Sequence, residues 1–158
     1  MIKKLYEQFQ PANYKLQITI DKNKTAFHGS VEITGKTLKR KNTIELHAKD
    51  LKVQSATIKG TDATVTKQID DTLVLQLEHE IQPSNTRVEL TFSGKISDAM
   101  HGMYPCYFEH EGKKKKLIAT QFESHHAREV FPCIDEPAAK ATFELSLVTE
   151  LNEVVLAN

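Results

Sequence analysis

The apolar residues of this chain recur mainly at every second position. In Phe27–Thr34, apolar or small residues alternate strictly with polar ones. This pattern is typical of a β-strand that has one buried face and one solvated face. The alternation therefore predicts sheets rather than helices as the framework of the chain. The same period appears in four further segments: Tyr14–Asp21, Leu73–Glu78, Arg87–Ile96 and Thr142–Leu147.

Many short strands joined by turns predict an all-β fold, an antiparallel sandwich of short strands. A parallel βαβ arrangement is excluded because it needs long crossover segments, which we do not find. One short helix is predicted near 124–130, with Ser124 as its N-cap and Pro132 soon after its end. Shorter strand candidates complete the set: Thr43–His47, Val53–Ile58, Thr64–Gln68 and Leu117–Phe122.

Charge and composition narrow the possible partners. The 158 residues contain 21 Lys plus Arg and 21 Asp plus Glu, so the formal net charge is zero. This balance gives no electrostatic reason to expect nucleic acid or an anionic membrane as a partner. No segment approaches the roughly 20 apolar residues of a membrane span. The N-terminus lacks the pattern of a signal peptide, and we expect a cytoplasmic protein.

Motif searches predict no catalytic residue, metal ligand or cofactor in this chain. A zinc site on a helix needs histidines at positions i and i+4, and neither His79-Glu80 nor His110-Glu111 has one. The adjacent His125 and His126 point in different directions on a helix, which does not favour chelation. The two cysteines, Cys106 and Cys133, are expected to be reduced thiols. A disulfide or a reactive thiol is the alternative.

Gln121, Phe122 and Glu123 form the most informative local pattern. Alternation on a strand places Gln121 and Glu123 on one face and Phe122 on the other. If Phe122 packs inward, an amide and a carboxylate project together and can bind an ammonium group. We therefore predict that Gln121 and Glu123 bind substrate. An alternative role for Glu123 is to complement the N-terminus of the short helix.

Several blocks of this sequence resemble the aminopeptidase N-like zinc metallopeptidase family. The resemblance covers nearly the whole chain, from about Pro11 to Asn158. The blocks that carry it are Ala119–Glu123, Ala127-Arg128, Phe131–Pro137, Ala138–Phe143, Pro11–Leu16, Phe27–Ile33, Ile44–Leu51 and Phe92–Tyr104.

The resemblance implies that residues 1–158 are an incomplete N-terminal β domain, saddle-shaped and truncated at its C-terminal end. In that family the domain packs on a catalytic domain that holds zinc through H-E-x-x-H and binds substrate with G-x-M-E-N. Glu123 would hold the α-ammonium of a peptide, and Gln121 would line the pocket for its first side chain. Neither motif occurs here. Zinc is therefore expected in the parent enzyme, a zinc aminopeptidase, and this chain alone is expected to be inactive.

Two other interpretations remain open: a free-standing β-sandwich binding module, and a family member without catalysis. The expected partners are a peptide N-terminus and the catalytic domain, and the exposed strand edges of a truncated sheet favour self-association. Other residues of the resembling blocks are expected to be structural rather than catalytic. These are Arg128, Asp135 and Glu136 at a turn, and Phe131 and Phe143 in the core.

Overall fold

The computed structural model describes residues 4–23, 25–67 and 70–157. That part of the chain contains eleven β-strands and two single 3-10 turns, which confirms the predicted all-β fold. The turns are Leu5–Glu7 and Ala127–Glu129. The strands are β1 (Phe9–Asp21), β2 (Ala26–Thr37), β3 (Lys41–His47), β4 (Lys52–Ile58), β5 (Thr61–Asp62), β6 (Thr64–Lys67), β7 (Thr72–Ile81), β8 (Ser84–Lys95), β9 (Gly102–His110), β10 (Lys113–Gln121) and β11 (Thr142–Val148).

The largest sheet has six strands in the order β11-β1-β2-β8-β4-β5. The pairs among β1, β2, β8, β4 and β5 are antiparallel, as predicted. The β1–β11 pair is parallel, with Tyr14 opposite Phe143, so the prediction of a purely antiparallel fold is wrong at this edge. A parallel pair needs a long crossover, and here the strands between β1 and β11 supply it.

A second sheet has three strands in the order β3-β7-β6, and β9 and β10 form a separate hairpin. Side chains from both larger sheets are buried in one hydrophobic core, as in a β-sandwich. The six-stranded sheet contributes Phe27, Val31 and Phe92, and the three-stranded sheet contributes Leu46 and Leu75. The predicted sandwich is therefore confirmed.

The predicted inward faces are confirmed in four of the five alternating segments. Their apolar members are buried in β1 (Tyr14, Leu16, Ile18), β2 (Phe27, Val31, Ile33), β7 (Leu73, Leu75, Leu77) and β8 (Val88, Leu90, Phe92). The prediction fails in β11. Phe143 is 56% exposed and Leu145 46%, so alternation alone does not bury this face.

Strand boundaries differ from the predictions where proline or an irregular pattern obscures the alternation. Strand β1 begins at Phe9 rather than Tyr14, and its register with β2 shifts between Pro11 and Asn13. Strand β9 contains Pro105 and lacks alternation, and it was not among the predicted strands. The last residue of the predicted strand Thr64–Gln68 lies outside the described residues.

The predicted helix near 124–130 is only the three-residue 3-10 turn Ala127–Glu129. Ser124 does not cap it, because the N-cap residue is His126 and no side chain caps the turn. The Ser124 hydroxyl instead bonds His125 Nδ1 at 2.8 Å. In the part of the chain that the structure describes, no helix has the length and apolar character needed to cross a membrane.

Candidate functional site

Gln121 is the last residue of strand β10, whereas Glu123 lies two residues beyond it in a turn, so the strand geometry predicted for this pair does not extend to Glu123. Gln121 pairs with Gly102 of β9, and both Gln121 and Glu123 are exposed. Phe122 is half-buried and packs edge-to-face on Phe131, with ring centroids 6.0 Å apart. The inward packing of Phe122, which the proposed ammonium site requires, is therefore present. An anchored Phe122 leaves the side chains on either side of it accessible to a ligand.

The Glu123 carboxylate is available for an external partner. Among residues 4–23, 25–67 and 70–157, no hydrogen-bond or ion-pair partner is found for its side chain. The backbone just after it is held in place because the His126 N–H donates to the Phe122 carbonyl oxygen at 2.9 Å. The peptide bond between Glu123 and Ser124 is cis. An exposed carboxylate on a fixed backbone can bind a cationic group.

Phe131 packs against the segment that contains Gln121, Phe122 and Glu123 through its contact with Phe122. Its side chain is 4% exposed and makes edge-to-face contacts with Phe122, Tyr14 and Phe143, all with centroids near 6 Å. The prediction that Phe131 lies in the core is confirmed. The same prediction for Phe143 is wrong, because one face of its ring stacks on Tyr14 at 4.9 Å and much of the rest is exposed.

Arg128 and Asp135 form a largely buried ion pair. Arg128 Nε donates to Asp135 Oδ2 at 3.0 Å, and the side chains are 14% and 11% exposed. The Arg128 backbone N–H also donates to that oxygen, and Arg128 Nη2 donates to the Asp135 carbonyl. Glu136 accepts hydrogen bonds from the backbone N–H groups of Leu5 and Tyr6. These contacts support the structural roles predicted for all three charged residues.

His47 joins strand β3 to the segment that follows the 3-10 turn. Its backbone forms reciprocal hydrogen bonds with Cys133, and its Nδ1 accepts a hydrogen bond from the Asp135 N–H at 3.0 Å. Burial, and next the charge of Arg128, lower the pKa of His47 below its usual 6.5. His47 is therefore a neutral acceptor in the folded protein. Both cysteines are free, and burial raises the pKa of the Cys133 thiol.

We expect the free energy of unfolding to fall as pH drops below about 6.5, because the unfolded chain then binds a proton that folded His47 resists. A lowered folded pKa contributes stability above the unfolded pKa, and that stability is lost as pH falls through the folded value. His47→Asn keeps an acceptor near Nδ1 but does not titrate. Urea unfolding across this pH range should show a shallower pH dependence for the variant. Equal slopes would contradict the assignment.

A second cluster lies beside Gln121. Glu129 Oε2 is 2.6 Å from His101 Nδ1, and Glu129 Oε1 is 3.1 Å from His126 Nδ1 and 3.0 Å from Lys49 Nζ. Burial raises the pKa of Glu129, but hydrogen bonds from His126, Lys49 and His101 outweigh it and lower the pKa to about 2. The carboxylate is therefore ionised.

Sequence reasoning missed this cluster, since it weighed His126 only with its neighbour His125. The spacing of His126 and Glu129, at i and i+3, was a readable signal for two ligands on one face of a turn. No local pattern places His101 there. It arrives because Gly102 pairs with Gln121 across the β9–β10 hairpin. Among the described residues, His101, His126 and Glu129 form a group whose ligand atoms all lie within 4.8 Å of one another.

The comparison with known protein families decides what kind of domain carries these sites. Residues 10–158 match the peptidase M1 N-terminal domain. This chain belongs to the peptidase M1 family. The predicted resemblance to aminopeptidase N-like metallopeptidases, and to their N-terminal domain, is thereby confirmed.

Similar M1 proteins include aminopeptidase N of Lactococcus lactis subsp. lactis, 41% identical over 96% of this chain. Aminopeptidase N of Lactobacillus delbrueckii subsp. lactis is 37% identical over 99%, and aminopeptidase M1 of Arabidopsis thaliana is 36% identical over 94%. In each case the match spans only 18% of the relative's own length. These matches therefore identify the N-terminal domain, and they do not by themselves assign the relatives' enzymatic activity to this chain.

Proposed function

We propose that this chain is the substrate-binding N-terminal domain of a zinc aminopeptidase, which removes N-terminal residues from peptides. The observation that carries the proposal is the exposed Glu123 carboxylate, which has no partner among the described residues and follows Gln121 on an anchored backbone. A carboxylate and an amide oxygen are suitable acceptors for the α-ammonium of a peptide. The names of the relatives agree with this substrate class.

In this proposal Glu123 binds the α-ammonium, and Gln121 lines the pocket for the first side chain. Phe122 sets their position through its contact with Phe131. The family's zinc is held by H-E-x-x-H, and the 158 residues do not contain that motif. The residues of this chain therefore do not fit as ligands of the catalytic zinc, and we assign no chemical step to them. Relatives far longer than this chain favour this function over a free-standing binding module.

We expect Glu123→Gln to lower kcat/KM by about 10- to 100-fold, because it removes the charge from a charge-assisted hydrogen bond to the substrate. The chain would replace the matching segment of Lactococcus lactis aminopeptidase N, so that a catalytic domain is present. Initial rates on an aminoacyl anilide and on its N-acetylated analogue would then be compared. The loss should be confined to substrates with a free amine.

Glu78→Gln is the matched control, since Glu78 is an exposed carboxylate on strand β7 of the three-stranded sheet. It should leave kcat/KM unchanged within about twofold. An unchanged kcat/KM in Glu123→Gln, with an active chimera, would remove Glu123 from the pocket. Hydrolysis by the 158-residue chain alone would contradict the expectation that catalysis lies outside it.

We also propose that the rest of the enzyme covers strand β11 and the segment after it. Large apolar side chains are exposed there, including Phe143, Leu145, Leu151 and Val154. Without that cover, the apolar surface and the outer strand favour self-association. Sedimentation of the isolated chain should show the mass average rising with concentration. A monomer throughout the accessible concentration range would count against this expectation.

A further inference from the structure

We propose that His101, His126 and Glu129 form a binding site for a transition-metal ion of the zinc class. The proposal rests on the geometry of the cluster and does not depend on the proposed peptidase function. It replaces the sequence-based expectation that no residue of this chain binds metal.

The ligand atoms converge on one point. The two imidazole Nδ1 atoms lie 2.6 and 3.1 Å from the Glu129 carboxylate oxygens, and their rings are stacked with centroids 4.1 Å apart. A carboxylate only accepts hydrogen bonds, so each neutral ring carries its hydrogen on Nδ1 when no metal is bound. Metal binding moves that hydrogen to Nε2, and the Nδ1 lone pair becomes a ligand.

The required movement is small. Zinc binds nitrogen and oxygen at about 2.0–2.2 Å, so tetrahedral ligands lie about 3.4 Å apart. The three ligand atoms are already within 4.8 Å of one another. Shifts on the order of 1 Å in the two rings and the carboxylate therefore produce coordination geometry. Side-chain rotations of this size are available because the His101 side chain is 36% exposed and that of His126 is 19% exposed.

The backbone around the cluster is fixed by contacts that do not involve a metal. Gly102, next to His101, has a φ of +65°, and a Cβ there would lie 2.7 Å from Glu129 Oε2. The carboxylate therefore packs directly on the backbone of β9. On the other side, the Glu129 N–H donates to the His126 carbonyl, and the Lys49 N–H donates to the Arg128 carbonyl. Three chain segments hold the site before any ion binds.

Lys49 is the charge that opposes a cation here. Its Nζ bonds Glu129 Oε1 at 3.0 Å, and its side chain is 37% exposed. A hydrogen bond to Oε1 leaves Oε2 as the ligand oxygen, and ligating carboxylates commonly have such a partner on the second oxygen. The exposed stem also lets the ammonium move away from the ion into solvent. Lys49 therefore orients the carboxylate without occupying the ligand position.

The ligand set selects the metal. Two imidazoles and one carboxylate suit Zn²⁺, Co²⁺, Ni²⁺ or Cu²⁺, whereas Mg²⁺ and Ca²⁺ prefer oxygen ligands. Three protein ligands leave a fourth position for water. Because Gln121 pairs with Gly102, bound metal would also reduce the motion of the segment that carries Gln121 and Glu123.

The test is titration of the tag-free chain with zinc by calorimetry, and with Co²⁺ by visible d–d absorption. We expect one ion per chain, and no heat with Mg²⁺. His101→Gln and His126→Gln should each weaken zinc binding by about 100-fold or more. Loss of a residue that only hydrogen-bonds to a metal ligand already costs about 10- to 100-fold in metal affinity, and loss of the ligand itself should cost more. Amide NMR spectra of each variant, recorded first, show that it is folded.

His125→Gln is the matched control. The His125 ring stacks on His126 with centroids 4.6 Å apart but lies outside the ligand group. This variant should bind zinc within about twofold of the unchanged chain. No stoichiometric zinc binding, or binding that survives in folded His101→Gln, would overturn the proposal. Equal loss in His125→Gln would assign any zinc to the adjacent histidine pair and would overturn it as well.

Discussion

Phe131→Ala should lower the free energy of unfolding by about 3–5 kcal/mol, the range for truncating a buried phenylalanine. The side chain is 4% exposed and contacts the rings of Tyr14, Phe122 and Phe143, so its loss leaves a cavity that three aromatic neighbours border. Urea unfolding measures the change directly. In a domain of this size the same loss lowers Tm by about 6–20 °C.

Phe143→Ala is the control for that prediction, because both phenylalanines are expected in the core from the sequence. Phe143 is 56% exposed, and its main contact is the stack on Tyr14. Its truncation should therefore cost less than about 2 kcal/mol. Losses of equal size in the two variants would show that Phe131 is not the central packing residue of this cluster. Phe131→Ala should also loosen Phe122, which NMR of its ring would detect.

Alternation correctly predicts which residues are buried in strands that lie inside a sheet and have one face against the core. Strands β2 and β8 lie inside the six-stranded sheet, so each residue's face decides its environment and the period of two is sufficient. Strand β11 has the same pattern, yet Phe143 and Leu145 remain exposed. A pattern reports which residues share a face, whereas the burial of that face depends on what packs against it.

One part of the candidate site can be predicted from the local sequence, and another part cannot. Gln121, Phe122 and Glu123 are consecutive, and Phe122 packs on Phe131 as inward packing requires. Strand β10 ends at Gln121, so the position of Glu123 depends on the turn that follows and not on strand alternation. His101 and Glu129 are brought together by strand pairing between β9 and β10. The register of that hairpin could not be read from local composition, because β9 contains Pro105 and lacks alternation. Tertiary pairing therefore creates the cluster.

Asp135→Ala should lower the free energy of unfolding by about 3 kcal/mol, since removal of one partner of a buried ion pair leaves an uncompensated charge. Arg128 would keep its guanidinium in a site where its side chain is 14% exposed, and its Nε and backbone N–H would both lose their acceptor. Arg128→Met combined with Asp135→Leu should recover part of the loss, because neither charge is then buried. Urea unfolding of Arg128→Met, of Asp135→Leu and of the double variant gives the coupling energy.

The exposed pair Arg40–Glu80 is the control that separates two causes of the stability loss expected in Asp135→Ala: the loss of the ion pair itself and the burial of the charge left behind. Its Nε–Oε2 distance is 2.6 Å, but the side chains are 66% and 52% exposed. Glu80→Ala should therefore change the free energy of unfolding by less than about 0.5 kcal/mol. If Asp135→Ala costs no more than Glu80→Ala, water must reach Arg128 and the pair is not a buried tether. A large loss from Asp135→Ala alone shows that burial makes this charge essential to the segment between Arg128 and Asp135, which is joined to strand β3 through His47.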